Sequence, residues 1–260
     1  SILMIWASVG LADDMRVAVT TSFDSSGLAE VLLPAIKEDL DIDVQLLVVG
    51  TGQALRLGAA GDVDAVLVHS KAAEDSFLAA GHGTHRREIM YNDFVIIGPA
   101  ADFADIADAE SAADALQRIA RAQSLFVSRG DDSGTHKAEL AVWAQAGFDV
   151  DTFDNWYRAV GAGMGQALNT AAAMDAHVMS DRASWLNFAN KAGLALLYSG
   201  DPALFNQYAY LPVNPDKNDN LRHDLALALE TWLTSPRAAA LINGYSINGE
   251  TLFVFNATAE

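Results

Sequence analysis

Cysteine is absent from the chain. Thiol nucleophiles, disulfides, thiolate-bound zinc, iron–sulfur clusters and a lipid-modified anchor cysteine go with it. Basic residues are scarce: 16 Lys and Arg stand against 34 Asp and Glu, a formal net charge of −18. Nucleic acid needs a basic footprint, so DNA and RNA are poor partners. The same acidic field repels small anions, so an anion site here must be local, built from dipoles and a few fixed cations. Long apolar runs are missing too. Ser1 to Ala12 (SILMIWASVGLA) is apolar but too short to span a bilayer, and its small-residue end at Gly10-Leu11-Ala12 looks like the tail of a secretory signal.

What is there suits a globular protein. Hydrophobic residues make up 51% of 260 positions and charged residues 19%, enough for one large domain or two modest ones. Short apolar strand patterns at 15–20, 44–49, 65–68, 94–97, 125–127 and 194–198 are separated by helix-spaced segments. The helical patterns run over 27–40, 53–60, 72–80, 116–122, 137–146, 163–174 and 182–191, with a closing pair at 221–233 and 236–242. Pro34 predicts a bend or a late start in the first, and Ser180 an N-cap for the one beginning at Arg182. The order β–α–β–α–β, restarting after residue 97, predicts an α/β fold with two lobes, each a mainly parallel sheet flanked by helices. No Pro/Gly/Ser-rich linker separates them, so strand-like crossings near Tyr91 to Val95 and Ala209 to Val213 are expected. The predicted lobes are 13–92 plus 212–260, and 93–211.

Three loops share a design. VTTSFDSSG (19–27), VGTGQ (49–53) and SRGDDSGTH (128–136) each follow an apolar strand, open a helix and are rich in hydroxyls and glycine. In open α/β sheets ligands collect at the carboxyl ends of strands, where helix N-termini point their N–H dipoles. The third loop adds Arg129, whose forked guanidinium matches a tetrahedral oxyanion, with Asp131 or Asp132 as its partner. Ser133 with His136 lacks a separate orienting acid, and the adjacent Asp131 and Asp132 diverge, so neither a nucleophile–base pair nor a metal-assisted hydrolase is expected. Gly161-Ala-Gly-Met-Gly-Gln lacks the acidic residue of a dinucleotide motif; it is expected to pack on the arginine loop or to lend an N–H donor. Trp143, Trp156, Trp185 and Trp232 are read as core or domain-edge residues.

These blocks, with RREIMYNDFVIIGP and GAGMGQALNTA, resemble in sequence and order the tungstate-binding proteins that feed ABC importers, from about Val17 to Phe255. The Arg-x-x-x-Ser-Gly-Thr core is similar also to phosphate-binding receptors. The resemblance implies a type II periplasmic-binding-protein fold, two lobes with a ligand cleft between them. It implies a monomeric periplasmic receptor that captures tungstate, or molybdate, and delivers it to a membrane permease and through it to an ATPase. No cofactor or bare metal cation is implied; tungsten enters as the oxyanion. Position by position, the ligand donors implied are Thr20, Thr21, Ser22, Thr51, Gly52, Ser128, Arg129, Ser133, Gly134 and Thr135, with Asp131, Asp132 and His69 in support. Phe23, Ser25 and Met179 to Trp185 depart from the family pattern at the outer wall of the pocket. His69-Ser70 stands where phosphate receptors are expected to carry an Asp that accepts a hydrogen bond from a protonated phosphate, and its absence favours a fully deprotonated anion. The alternatives are a phosphate or sulfate receptor of the same fold, or an anion-sensing module without transport.

Overall fold

Apolar and β-branched residues first run together in Met15 to Thr20, and there the first strand forms, its last four residues buried. The computed structural model describes residues 13–258, so the signal-like stretch 1–12 lies outside the described residues. β1 (Asp13–Thr20) leads through α1 (Thr21–Ser25) into α2 (Ala29–Leu40), β2 (Ile42–Val49), α3 (Thr51–Ala60), β3 (Ala65–Val68) and α4 (Lys71–Ala79). The long strand β4 (Arg87–Pro99) is followed by α5 (Ala112–Ala122), β5 (Phe126–Ser128), α6 (Gly134–Gln145), β6 (Tyr157–Ala159) and α7 (Met164–Met174). Then come β7 (His177–Asp181), α8 (Arg182–Asn187), β8 (Leu194–Tyr198) and β9 (Phe205–Pro212). α9 (His223–Leu233), α10 (Pro236–Gly244), the hairpin β10 (Ser246–Ile247) and β11 (Glu250–Thr251), and β12 (Val254–Phe255) complete the order.

The chain forms two units. Unit 1 takes the residues up to Ile89, Tyr208–Ile242 and the chain from Asn256; unit 2 takes Met90–Gln207 and Asn243–Phe255. In unit 1 the strands lie in the order β2-β1-β3-β9, with β1 parallel to both neighbours and β9 antiparallel to β3. The parallel register sets Thr20 opposite Val49 and Val19 opposite Leu67, so the carboxyl ends of three strands are level. In unit 2 the order is β4-β7-β5-β6; β5 is parallel to β6 and β7, while β4 is antiparallel to β7 and to β8. Ser128 lies opposite Ala159, which levels a second set of strand ends.

On the α3–α4 side of its sheet, unit 1 packs the wholly buried β3 against Ala54 and Leu55 of α3 and Phe77 of α4. Unit 2 docks the stripe Ala112, Ala115, Leu116 and Ile119 of α5, spaced i, i+3, i+4, i+7, onto a face rich in aromatic rings. There Trp143 is fully buried among Phe126, Phe148, Phe153, Trp156 and Tyr157. Trp185 and Trp232 are buried as well.

Several expectations need correction. Residues 243–255, expected in the first lobe, pack with unit 2, because β12 pairs antiparallel with β4, Val254 opposite Tyr91 and Phe255 opposite Met90. A two-residue strand has no period to read, so nothing local announced it. Pro34 does not delay α2, which starts at Ala29 and runs through it to Leu40; Pro34 lies on the exposed face. α8 stops at Asn187 rather than running to 191, and its N-cap is Asp181, whose carboxylate accepts the Ser184 N–H, not Ser180.

Candidate functional site

In unit 1 the donor groups gather at the level ends of β1, β2 and β3. Thr20 ends β1 buried, and its Oγ1 accepts the Phe23 N–H at 3.3 Å. α1 is only five residues long, so this loop offers hydroxyls more than a helix dipole. Thr21 is exposed, whereas Ser22 is half-buried under His69 and Tyr208. Thr51 and Gly52 open α3, two residues earlier than the sequence pattern suggests. Its N-cap, Gly50, offers no side chain, and the first N–H to reach back is that of Ala54, to the Gly50 carbonyl. The N–H groups of Thr51, Gly52 and Gln53 are thus left without helical partners. A Cβ on Gly52 would meet only Arg56 Nη1, at 3.5 Å. The backbone does not require glycine there, and close approach of a ligand is the remaining reason for it. His69 follows β3 directly, at the same level.

In unit 2 the same position carries charge. Arg129 follows β5, and its Nη2 donates to Asp131 Oδ2 at 2.5 Å while Asp131 Oδ1 accepts the Ser133 N–H at 3.3 Å. Burial pushes the Asp131 carboxyl up, but the bonds from Ser133 and Arg129 outweigh it and hold the group below the usual carboxylate range. Asp132, expected as a second support, turns away: it is exposed, 3.4 Å from Lys137 Nζ, and its N–H donates to His136 Nδ1. Arg129 Nε is buried and has no hydrogen-bond partner among the described residues. Arg182, by contrast, spends its fork on Asp93, Nε to Oδ1 and Nη2 to Oδ2. Arg129 therefore has donors to spare where Arg182 has committed its own.

Ser133 caps α6 by accepting the His136 N–H at 3.2 Å, and its own hydroxyl lies within hydrogen-bonding reach of the Asp131 carboxylate. Gly134 and Thr135 follow with N–H groups that have no helical partner, Gly134 exposed and Thr135 buried. The glycine-rich segment after β6 packs on this loop: Val160 N–H donates to the Ser128 carbonyl and Ala162 N–H to that of Arg129. Here glycine is required, since Gly130 has φ +60 and a Cβ would fall 2.7 Å from that of Ala159. α7 starts nearby with Gly163 as a cap without a side chain.

Beside this loop lies a buried carboxyl that no local pattern foretells. Glu139, one helical turn beyond Thr135 in α6, is buried and accepts from Tyr157 OH at 2.7 Å and Trp143 Nε1 at 3.2 Å. Burial pushes its carboxyl up to about 7, against the opposing pull of Tyr157, Ser128 and Trp143. Ser128 Oγ is fully enclosed beside them without a well-aligned partner. The other residue not foreseen is Tyr208, which reaches Ser22 from β9 across a separation of 186 residues.

Two α/β units, each presenting uncapped helix starts and hydroxyls at the carboxyl ends of parallel strands, define a binding protein of the solute-receptor class. A family model described as a PBP superfamily domain matches residues 8–237. The tungstate-binding protein TupA of Peptoclostridium acidaminophilum is 43% identical over 93% of this chain and 85% of its own length. The structure of the tungstate-binding protein TupA from Desulfovibrio alaskensis G20 superposes with a TM-score of 0.91 at 41% identity, covering 95% of this chain and 100% of that one. A structure described as the tungstate ABC transporter from Geobacter sulfurreducens gives 0.77 at 43% identity, covering 89% and 98%. The chain belongs to the PBP superfamily and, within it, to the family of the TupA proteins.

Proposed function

We propose that this chain is the substrate-binding receptor of an ABC importer, that its cargo is tungstate, and that molybdate is a second ligand. The observation that carries this reading is the arginine loop: a part-buried guanidinium with unused donors beside the N-terminus of α6, whose Gly134 and Thr135 N–H groups have no helical partner. The relatives named as tungstate-binding supply the identity of the oxyanion. Arg129 and Asp131 together are close to neutral, so a dianion is held by fixed dipoles and hydroxyl donors as much as by net charge. Thr51 and Gly52 in unit 1 and Arg129, Ser133, Gly134 and Thr135 in unit 2 are the direct donors in this reading. Asp131 fixes the arginine fork. The chemistry is capture and release without a covalent step, in a monomer that works in the periplasm. A membrane permease, and through it an ATPase, receives the anion. No helix among the described residues is long and apolar enough to cross a membrane, so translocation is assigned to that partner.

A thermal-shift panel of tungstate, molybdate, sulfate and phosphate tests the ligand. Tungstate should stabilise most, in line with the mass-action dependence of stability on a bound ligand. Stronger stabilisation by phosphate would overturn the assignment.

A further inference from the structure

Ser22 is the point in unit 1 where three elements converge on one hydroxyl. Its Oγ lies 3.0 Å from Thr20 Oγ1, 3.0 Å from His69 Nε2 and 3.1 Å from Tyr208 OH. Tyr208 is fully buried, and the His69 and Tyr208 rings pack at 4.8 Å between centroids. A serine hydroxyl has one proton to give and two lone pairs to fill. Three protein neighbours occupy that whole capacity, so an anion would have to displace one of them. Ser22, expected as a ligand donor, sits as a hub.

Thr20 differs. Among the described residues its Oγ1 has two partners, Ser22 Oγ and the Phe23 N–H. An N–H can only donate, so one lone pair of Thr20 is taken. What remains depends on the direction of a single bond. If Ser22 donates to Thr20, the second lone pair is filled and Thr20 is left with an O–H to give. If Thr20 donates to Ser22, it is left with a lone pair, which repels an oxyanion.

We propose that Tyr208 and His69 set this direction. By donating the Tyr208 O–H and the His69 Nε2–H to Ser22, these positioning residues fill both its lone pairs and oblige it to donate to Thr20. Thr20 then presents a proton to the bound anion. Hydroxyls aligned one way polarise one another, which strengthens the last donor. The ligand consequence is chemical: this corner offers a donor and no acceptor. An oxyanion without a proton is matched by it, whereas the proton of hydrogen phosphate finds nowhere to go. The inference rests on the receptor reading above and gives Tyr208 and His69 a part in its selectivity.

Isothermal titration with sodium tungstate and, separately, inorganic phosphate tests it. The proteins are the wild type, Tyr208→Phe, Thr20→Val and the double variant. Tyr208→Phe keeps the ring and removes only the O–H. It should weaken tungstate binding about tenfold, the scale of one lost charge-assisted hydrogen bond, and phosphate binding less. In the Thr20→Val background the same substitution should change nothing, because the group through which Tyr208 acts has gone. Thr20→Ser keeps the hydroxyl and the cap of α1 and should retain the Tyr208 effect. Equal tungstate affinity in wild type and Tyr208→Phe overturns the proposal. So does an equal loss for both anions, or an undiminished Tyr208 effect without the Thr20 hydroxyl. A wild type that takes up no tungstate at all refutes the receptor reading itself.

Discussion

At the carboxyl ends of its strands unit 1 carries hydroxyls, a histidine, a tyrosine and an uncapped helix start, whereas unit 2 carries a guanidinium, a carboxylate that steadies it and a capping serine. The positions are alike, at the level carboxyl ends of parallel strands in both units. What differs is the means of attraction. Unit 2 holds the fixed charge and must protect it, hence its tight turn at Gly130 and its salt bridge. Unit 1 relies on the direction in which protons are shared. In an acidic chain an anion would be attracted on these terms by short-ranged, directional donors in unit 1 and by a single arginine in unit 2.

That contrast can be broken in graded steps. Arg129→Ala should have the largest effect, weakening tungstate binding about a hundredfold or more, as expected for a desolvated charge partner. Titration calorimetry measures it, and an unchanged Kd would remove the charged half from the comparison. Glu139→Gln should change the pH dependence of stability. In the folded protein burial keeps Glu139 neutral up to about 7, while in the unfolded chain it ionises near its ordinary 4.5. Its neutral form is fully compatible with folding below pH 4.5, and its contribution is lost as pH rises toward 7. The loss amounts to about 3 kcal/mol. Urea unfolding at acid and mildly alkaline pH should show the variant lacking that decline; parallel curves for variant and wild type would mean the buried carboxyl is not neutral.

Smaller effects separate the two glycines. Gly130→Ala should destabilise by about 2 kcal/mol, from its left-handed φ and the contact with Ala159. Gly52→Ala should be stabilising, by less than about 1 kcal/mol, since α3 gains a better helix former. Thermal unfolding without ligand compares them, and similar losses would mean that Gly52 too serves the backbone. Ser133→Ala removes the cap of α6 at a cost of about 1 kcal/mol, read by the same melts. If anion affinity is untouched in that variant, Ser133 is a cap and nothing more.

Much of this was legible from the chain. Short strands such as Ala65–Val68 and Phe126–Ser128 are apolar throughout and bounded by turn residues, so their existence and parallel character could be read directly. The ligand loops stood out because hydroxyls and glycine cluster there between apolar runs. What escaped notice depends on distant partners. Tyr208 sits in an ordinary strand pattern, and nothing local links it to Ser22. Glu139 reads as one polar residue on a helix until Trp143 and Tyr157 enclose it. Asp131 and Asp132 are equivalent by sequence, and the backbone alone separates them: Asp132 has φ +58, which carries its side chain outward to Lys137.

The pairing of β12 with β4 bears on how the protein is born. Unit 2 begins at Met90, yet one piece of it, 243–255, is synthesised after nearly all of unit 1. A chain emerging from its amino end can fold the first strands and helices of either unit early. The backbone groups of Met90 and Tyr91 on that side of β4 wait for Val254 and Phe255. Residues 243–255 therefore complete unit 2 only after nearly all of unit 1 has been made.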